Sequence, residues 1–564
     1  MDYLERYSLW KNSHLSSEAT EELESIAGNI DELKGRFGQE LQFGTAGLRG
    51  IMGIGSNRLN QYTVRRAAQG MAKWLSATPL AQKAVIAYDS RHNSKEFAQI
   101  CAVAFAERGI RVFIFDRLAP TPMLSFAVRE LACGCGVVVS ASHNSGEYNG
   151  IKCYGPDGCQ MTDAPARAVM EQITSVAYFE PEHADFAHYI RCGLISYVSN
   201  DLWESYYAAV LSESINPEVV SAAGVNVVYT PLCGAGNQPV REILKRLRAN
   251  VTIVACQEHP DGDFKTCEYP NPEAEAALQE SYKVANQCKC DVILATDPDC
   301  DRIAIAVPDA DGYKKLSGNE LGCLLLEYIL RERSAKCDLP ADPIVVKSIV
   351  STPLADRIAR KYGVTMRSVL TGFKYIGGEI LALEQKQEEK RFVFGFEESC
   401  GYLKGTYARD KDAVVASMLV CELVASLKLK GKSILDAVRE MYDNYGYFLS
   451  NVESIELTGP DAMEKASNLM GELRANLPEE IGGARVTLVR DYHDGFEMDM
   501  ITQKRTPINL PASNVLEFVL GEKGSVIVRP SGTEPKVKYY YTAVGATVDA
   551  SNRLLTKIKK QMRK

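Results

Sequence analysis

Short apolar, β-branched runs alternate with helix-period segments through most of this chain, and that alternation limits the fold more than any other feature. Ala84-Val-Ile-Ala-Tyr, Val112-Phe-Ile-Phe and Val137-Val-Val are separated by stretches such as 97–108 with helical spacing. Val225-Asn-Val-Val-Tyr, Val251-Thr-Ile-Val and Val292-Ile-Leu-Ala repeat the pattern, as do Ile344-Val-Val and Phe392-Val-Phe. Strands spaced by helices in this way make βαβ units and parallel sheets. From about Val452 the runs Ala484-Arg-Val-Thr-Leu-Val, Ser525-Val-Ile-Val and Val537-Lys-Tyr-Tyr-Tyr read instead as a more antiparallel α+β unit. A chain of 564 residues is too long for one core; at about 150 residues per domain it should hold roughly four. Ser/Gly-containing breaks place the cuts near 200, 313 and 450, giving α/β domains over 1–200, 201–313 and 314–450 and an α+β domain over 451–564.

Charge and cysteine usage narrow the setting. With 64 basic and 72 acidic residues the net charge is −8, so no nucleic-acid footprint is expected. The basic, amphipathic stretch 553–564 reads as a solvated surface helix. No apolar run approaches the roughly 18 residues of a membrane span, and Met1-Asp-Tyr-Leu-Glu-Arg-Tyr lacks a signal-peptide core. The 16 cysteines are scattered, with C-x-C pairs at Cys133/Cys135 and Cys288/Cys290 and no C-x-x-C. Free thiols in a reducing cytoplasm are the natural expectation.

Four loops carry the chemistry. In Val137-Val-Val-Ser-Ala-Ser-His-Asn-Ser-Gly-Glu-Tyr-Asn-Gly-Ile-Lys152 a buried strand opens into a small polar loop centred on Ser142, with His143 beside it and Lys152 ten residues on. Such a serine can be a nucleophile or phosphoryl carrier; the competing reading is a helix N-cap. Ala295-Thr-Asp-Pro-Asp-Cys-Asp-Arg302 puts Asp297, Asp299 and Asp301 at alternate positions, an oxygen-rich site for a hard divalent cation. An EF-hand fails here, because its sixth and twelfth positions hold Arg302 and Pro308 in place of Gly and Glu. In Phe394-Gly-Phe-Glu-Glu-Ser-Cys-Gly-Tyr402, Glu397 and Ser399 lie two apart and can face the same way to bridge sugar hydroxyls. Val528-Arg-Pro-Ser-Gly-Thr-Glu-Pro-Lys536 gathers Arg529, Ser531, Gly532 and Thr533, the donors that wrap a phosphate. Near the N-terminus, Phe43-Gly-Thr-Ala-Gly-Leu-Arg-Gly50 offers Arg49 on a glycine-rich loop, and Tyr88-Asp-Ser-Arg91 a second arginine at a strand end. The remaining histidines fall in no metal-ligand spacing.

With these loops in this order the chain resembles the α-D-phosphohexomutases, most closely the phosphoglucomutase/phosphomannomutase branch that includes phosphopentomutases. The resemblance runs from about Leu41 to Tyr541 and extends to Tyr229-Thr-Pro-Leu, Tyr269-Pro-Asn-Pro-Glu273, Thr371-Gly-Phe-Lys374 and Arg409-Asp-Lys-Asp412. It implies a four-domain, heart-shaped α/β enzyme: three similar α/β domains with mixed sheets, a smaller C-terminal α+β domain, and one cleft fed by a loop from each.

On that resemblance Ser142 is the phosphoserine and joins Asp297, Asp299 and Asp301 around Mg²⁺. Lys152, His143 and Arg49 serve acid/base and phosphate-stabilising roles, with Arg49 and Mg²⁺ depressing the Lys152 pKa. Glu397 and Ser399 hold sugar hydroxyls, helped by Thr371, Lys374 and Lys411, while Asp301 and Arg302 also face substrate. Arg529, Ser531, Gly532 and Thr533 bind the non-reacting phosphate. The implied reaction interconverts α-D-glucose 1-phosphate and glucose 6-phosphate, with glucose 1,6-bisphosphate as intermediate and activator. Mannose or pentose phosphates, or synthesis of the bisphosphate from an external donor, are the alternatives; a zinc phosphomonoesterase or a non-catalytic sugar-phosphate sensor fits less well. The expected partners are small sugar phosphates, not nucleic acid or membrane, with the chain a monomer or homodimer. Ser140, Ser145 and Cys300 depart from the family's usual residues; Cys300, beside the carboxylates, would make the enzyme thiol-sensitive.

Overall fold

The computed structural model describes residues 1–44, 47–180, 183–457, 462–531 and 536–563. Two compact units emerge. The first comprises 1–317, 376–392 and 399–430; the second comprises 318–375, 393–398 and 431–564.

The first unit contains two mixed sheets. In one, strands run in the order Leu48–Ile51, Tyr148–Tyr154, Cys135–Val139, Lys83–Tyr88, Arg111–Ile114, Ile195–Tyr197. Its middle is parallel, as the βαβ alternation requires: Lys83–Tyr88 pairs in parallel with both Arg111–Ile114 and Cys135–Val139. Cys135–Val139 then turns back antiparallel onto Tyr148–Tyr154, which pairs antiparallel with Leu48–Ile51. Helices Gln61–Ser76 and Ser94–Ala106 bury Val64, Ala68, Met71, Ala98, Ala102 and Phe105 against it. The second sheet is ordered Gly312–Lys315, Ile303–Asp309, Val292–Thr296, Asn226–Thr230, Asn250–Ile253. Its strands 226–230, 250–253 and 292–296 are parallel, and 303–309 returns antiparallel beside 292–296.

Both returns matter for function. A strand that reverses through a short connection concentrates its loop's side chains at one sheet edge, and the two chemistry-bearing loops of this unit, 140–147 and 297–302, are such connections. The helix-cap alternative for Ser142 therefore does not apply, because a strand follows it.

Residues 1–37 add three helices, Tyr3–Lys11, Ser17–Ser25 and Ile30–Phe37. Trp10, fully buried, is ringed edge-on by Phe37, Tyr62 and Phe179 at 5.2–5.9 Å. Helix Ala413–Lys428 also folds into this unit, with fifteen of its side chains buried. A helix apolar all round must be covered on every side, and helices Pro217–Ala223 and Asn237–Arg246 pack on it.

In the second unit Ile344–Ser348 pairs in parallel with Thr365–Val369, with Phe392–Glu397 on its other side. Among the described residues the C-terminal sheet has seven strands, in the order 447–456, 536–545, 524–530, 516–519, 488–491, 496–499, 505–507. Its pairings are antiparallel, and helices Ala462–Ala475 and Val548–Met562 accompany it, which is the α+β pattern read from the sequence. One detail differs. The single run expected at 484–489 is split: Ala484–Arg485 pairs in a two-stranded ribbon, and only Leu488–Asp491 enters the sheet.

Candidate functional site: a serine over three buried carboxylates

Ser142 is 3% exposed and has φ of +53°, the left-handed region that costs a side chain about 1–2 kcal/mol. Arg91 holds it there. Its Nη2 donates to the carbonyls of Ser142 (2.6 Å) and Asn144, and its Nη1 to those of Ser145 (2.7 Å) and Tyr148 (3.0 Å). Asp89, itself buried, lies 3.3 Å from the guanidinium and accepts from Ser94 Oγ at 2.7 Å. The arginine of the Tyr88–Arg91 motif is thus spent on backbone carbonyls. The Ser142 amide donates to Ser140 Oγ at 2.8 Å, so the serine at 140 performs a task that its hydroxyl suits. Held this way, Ser142 Oγ lies 2.8 Å from Asp297 Oδ2 and 3.2 Å from His143 Nδ1.

The carboxylates come from the turn between antiparallel strands 292–296 and 303–309. Asp297 Oδ1 accepts from the amides of Asp301 and Arg302, both at 3.0 Å, which closes the turn. Asp299 Oδ2 accepts from Thr121 Oγ1 (2.8 Å) and Lys152 Nζ (2.5 Å). Asp301 Oδ2 receives Lys152 Nζ at 3.2 Å and Lys411 Nζ at 3.1 Å. The three side chains are at most 2% exposed and offer oxygens within 4.8 Å of one another. Among the described residues, Oδ1 of Asp299 and Oδ1 of Asp301 are buried without a hydrogen-bond donor. Buried oxygens of this kind want a partner, and an all-carboxylate set suits a hard divalent cation. The triad fits a metal ion.

The charges of the protein's own residues act against one expectation. Burial, the largest influence on Lys152, works against its ammonium, but Asp299 and Asp301 outweigh it and hold its pKa above the ordinary lysine value. The expected depression counted only the neighbouring cations and left out the two carboxylates that Nζ touches. Within the triad, burial and the charges of Asp299 and Asp301 push Asp297 well up. Asp301 goes down, because Lys152, Lys411 and Arg302 overcome its burial. His143 is kept neutral by burial and by the nearby Arg302 and Arg49.

Cys300 also departs from expectation. Its thiol is fully buried, and burial together with Asp412 pushes its pKa well up. A neutral, inaccessible thiol is inert, so proximity to the carboxylates does not make it reactive.

The other candidates fall as follows. Arg49 lies not in the glycine loop but on edge strand Leu48–Ile51, opposite Gly150, with Nη1 3.0 Å from Asn144 Oδ1. Gly47, at φ +92°, allows that approach: a Cβ there would lie 1.8 Å from the Ile151 carbonyl. Arg302 Nη1 bonds Glu273 at 2.9 Å and the Ser399 carbonyl at 3.4 Å. Lys411 Nζ lies 3.1 Å from Asp301 Oδ2, and its stem passes Gly401 of the 394–402 loop. In the second unit, Glu397 is 5% exposed and accepts from the Gly372 amide at 2.7 Å. Thr371 Oγ1 is a buried oxygen with no hydrogen-bond partner among the described residues, and Lys374 Nζ sits 5.0 Å over the Tyr375 ring. Arg529 lies on strand Gly524–Pro530 opposite Lys538, and the Ser531 amide donates to the Lys536 carbonyl at 2.8 Å. Gly532 and Thr533 lie outside the described residues. Arg91, Asp89, Thr121 and Glu273 were missed as structural members of the site; only the Tyr88–Arg91 and Tyr269–Glu273 motifs pointed toward any of them.

Known proteins resemble this chain along most of its length. Residues 40–179, 204–312 and 317–445 match the phosphoglucomutase/phosphomannomutase α/β/α domains I, II and III, and 483–558 match the C-terminal domain of the same family. The phosphoglucomutase of Staphylococcus epidermidis is 37% identical over 504 residues, 89% of this chain and 90% of its own. That of Staphylococcus aureus strain MSSA476 is 37% identical over 518 residues, 91% of each chain. Two solved structures share the fold at low identity. A phosphoglucomutase/phosphomannomutase family protein from Burkholderia thailandensis has TM-score 0.66 and 18% identity, covering 92% of this chain and 96% of its own. The open form of Paramecium parafusin, a phosphoglucomutase, has TM-score 0.66 and 16% identity, covering 93% and 94%. The chain belongs to the phosphoglucomutase/phosphomannomutase family and is a phosphohexomutase, an isomerase-type phosphotransferase.

Proposed function

We propose that this enzyme interconverts α-D-glucose 1-phosphate and glucose 6-phosphate, carrying the phosphoryl group on Ser142 and passing through glucose 1,6-bisphosphate. The observation that carries this reading is the Ser142 hydroxyl, presented from left-handed backbone 2.8 Å from a carboxylate of a buried aspartate triad. Relatives named phosphoglucomutase that match along nine-tenths of the chain support glucose as the sugar. We assign Mg²⁺ to Asp297, Asp299 and Asp301 with the Ser142 oxygen beside them; bound there, the ion supplies neutralisation of the charge on the transferring phosphoryl group.

The residues of the chain do the rest. Arg91 and Asp89 keep the Ser142 oxygen in place, so little reorganisation is needed at the moment of transfer. The phosphoryl group leaves Ser142 Oγ for a sugar hydroxyl, and the bisphosphate returns its other phosphoryl group to the same oxygen. Lys152 gives a proton to the departing oxygen and takes the one that the attacking hydroxyl loses, and it does the same with the roles of the two oxygens exchanged in the return half-reaction. Arg49, His143, Arg302 and Lys411 add positive charge or hydrogen bonds around the phosphoryl group. Glu397 and Ser399, with Thr371 and Lys374, read the sugar; Arg529, Ser531, Gly532 and Thr533 hold the phosphate that does not react. We divide the chain for this purpose into domains 1–200, 201–313, 314–450 and 451–564, one loop in each. The free thiol state of every cysteine supports a reducing compartment, the cytoplasm.

A coupled assay tests the reading: glucose 1-phosphate, Mg²⁺ and catalytic glucose 1,6-bisphosphate, run beside mannose 1-phosphate and ribose 1-phosphate. Glucose 6-phosphate formed fastest, and lost on chelation, is the expected result. A faster mannose or ribose reaction overturns the sugar assignment, and release of free phosphate overturns the mutase.

A further inference from the structure

Strand Tyr148–Tyr154 does two things with one face. Lys152 and Tyr154 are two residues apart and so project to the same side, while Cys153 between them turns into the core against Met71 Sδ at 3.3 Å. Lys152 reaches Asp299 and Asp301 directly. Tyr154 reaches the same carboxylate through a chain. Its hydroxyl donates to Asp410 Oδ2 at 2.7 Å, and Asp410 Oδ1 accepts from the Lys411 amide at 2.8 Å and from Lys411 Nζ at 3.1 Å. Lys411 Nζ in turn lies 3.1 Å from Asp301 Oδ2. The chain is buried throughout, with Tyr154 at 0%, Asp410 at 3% and Lys411 at 9% exposure. Its path is confined from the other side too: the Lys411 stem crosses Gly401, where a Cβ would lie 2.1 Å from Cδ.

We infer that Tyr154 and Asp410 are positioning residues that hold the Lys411 ammonium on Asp301, and so set how tightly the aspartate triad takes a divalent cation. Tyr154 fixes the plane of the Asp410 carboxylate, and Asp410 fixes the ammonium. An ammonium on Asp301 Oδ2 competes with a metal ion for that oxygen and repels it. Cation affinity is thereby held below what three buried carboxylates would otherwise give, and Lys411 is kept beside the place where phosphoryl charge arrives. The inference rests on the assignment of the triad as the metal site of the mutase.

The test is a double-mutant cycle read by calorimetric titration of the full-length protein with Mn²⁺, which needs no turnover. Lys411→Met should bind Mn²⁺ about tenfold tighter and Tyr154→Phe about threefold tighter, and the double variant should bind no tighter than Lys411→Met. Melting curves confirm folding of each variant; if Tyr154→Phe does not fold, Gly401→Ala displaces the Lys411 stem and takes its place in the cycle. Additive effects, or a Tyr154→Phe or Gly401→Ala protein that binds Mn²⁺ as the parent does, overturn the inference. Glucose phosphate turnover is measured in parallel, so that a wrong sugar or reaction leaves the cation result standing. Absence of Mn²⁺ binding in the parent overturns the metal site itself.

Discussion

Replacing Arg91 by Met removes the clamp on the serine loop without removing any atom near the sugar. The four carbonyls of Ser142, Asn144, Ser145 and Tyr148 lose their donor, and Asp89 loses the cation 3.3 Å away. Breaking one side of a buried ion pair costs about 3–5 kcal/mol, because the remaining charge stays buried. Burial already pushes the Asp89 carboxyl above the ordinary aspartate value, over the opposing pull of Arg91, so the orphaned Asp89 can take a proton. The lower end, about 3 kcal/mol, is therefore expected near neutral pH. The loss should grow as pH rises, since a carboxyl held protonated in the folded state costs stability above its unfolded pKa. Catalysis suffers separately. Left-handed Ser142 stores about 1–2 kcal/mol, and once unclamped it relaxes, which removes about 5- to 30-fold from the competent population. The expected result is kcat for glucose 1-phosphate down by that factor with KM little changed, and a lower melting temperature. Asp89→Asn combined with Arg91→Met should melt higher than Arg91→Met alone. A kcat within twofold of the parent with unchanged melting refutes the clamp.

Three further outcomes can be checked. Glu384 bonds Arg129 at 2.6 Å and Arg409 at 2.8 Å; burial opposes its ionisation, but Arg409 and Arg129 outweigh it and hold its pKa below the usual 4.5. That stabilisation, about 1 kcal/mol after solvent screening, is complete above the unfolded pKa and lost as pH falls through the folded one; Glu384→Gln should therefore melt lower at pH 7 and converge with the parent below pH about 4. Brief alkylation should mark the exposed Cys192, Cys256, Cys288 and Cys337 and spare Cys300, and Cys300→Ala should leave peroxide sensitivity unchanged; modified Cys300 by mass spectrometry in active protein contradicts the buried-thiol reading. Chelation should abolish turnover, restored by Mg²⁺, yet move the melting temperature by no more than a few degrees, because Lys152 and Lys411 already face the carboxylates; a collapse of the fold on chelation rejects that compensation.

What could be read from the sequence was what is local. The Ser142 and Asp297–Asp301 loops are each a few residues at the end of an apolar strand, and short polar turns between strands announce themselves by composition. The parallel middles of the first two sheets follow from the βαβ alternation for the same reason. Contacts across long separations did not announce themselves. Thr121 meets Asp299 178 residues away, and Tyr154 meets Asp410 256 away; no spacing rule connects them. The anchoring role of Arg91 is not legible in the sequence, because an arginine at a strand end has free donors until the fold supplies carbonyls. Helix Ala413–Lys428 is apolar on every face, so its pattern says that it is buried but not against which core.

The charge state of Lys152 shows most clearly what a motif leaves open. Three carboxylates at alternate positions in a dry turn cannot all stay ionised unless cations come with them. Here Lys152, Lys411 and Arg302 bring positive charge to Asp299 and Asp301, while burial and those two neighbours push Asp297 well up toward its protonated form. The same compensation shapes the chemistry. A lysine bound to two aspartates holds its proton more tightly, so in the transfer proposed above Lys152 acts first as a charge and a proton donor. A serine forced into left-handed backbone beside such a cluster needs an anchor that does not compete for those carboxylates. Arg91 meets that need by donating to backbone carbonyls beside its own buried Asp89, which separates the groups that hold Ser142 from the charges around the triad.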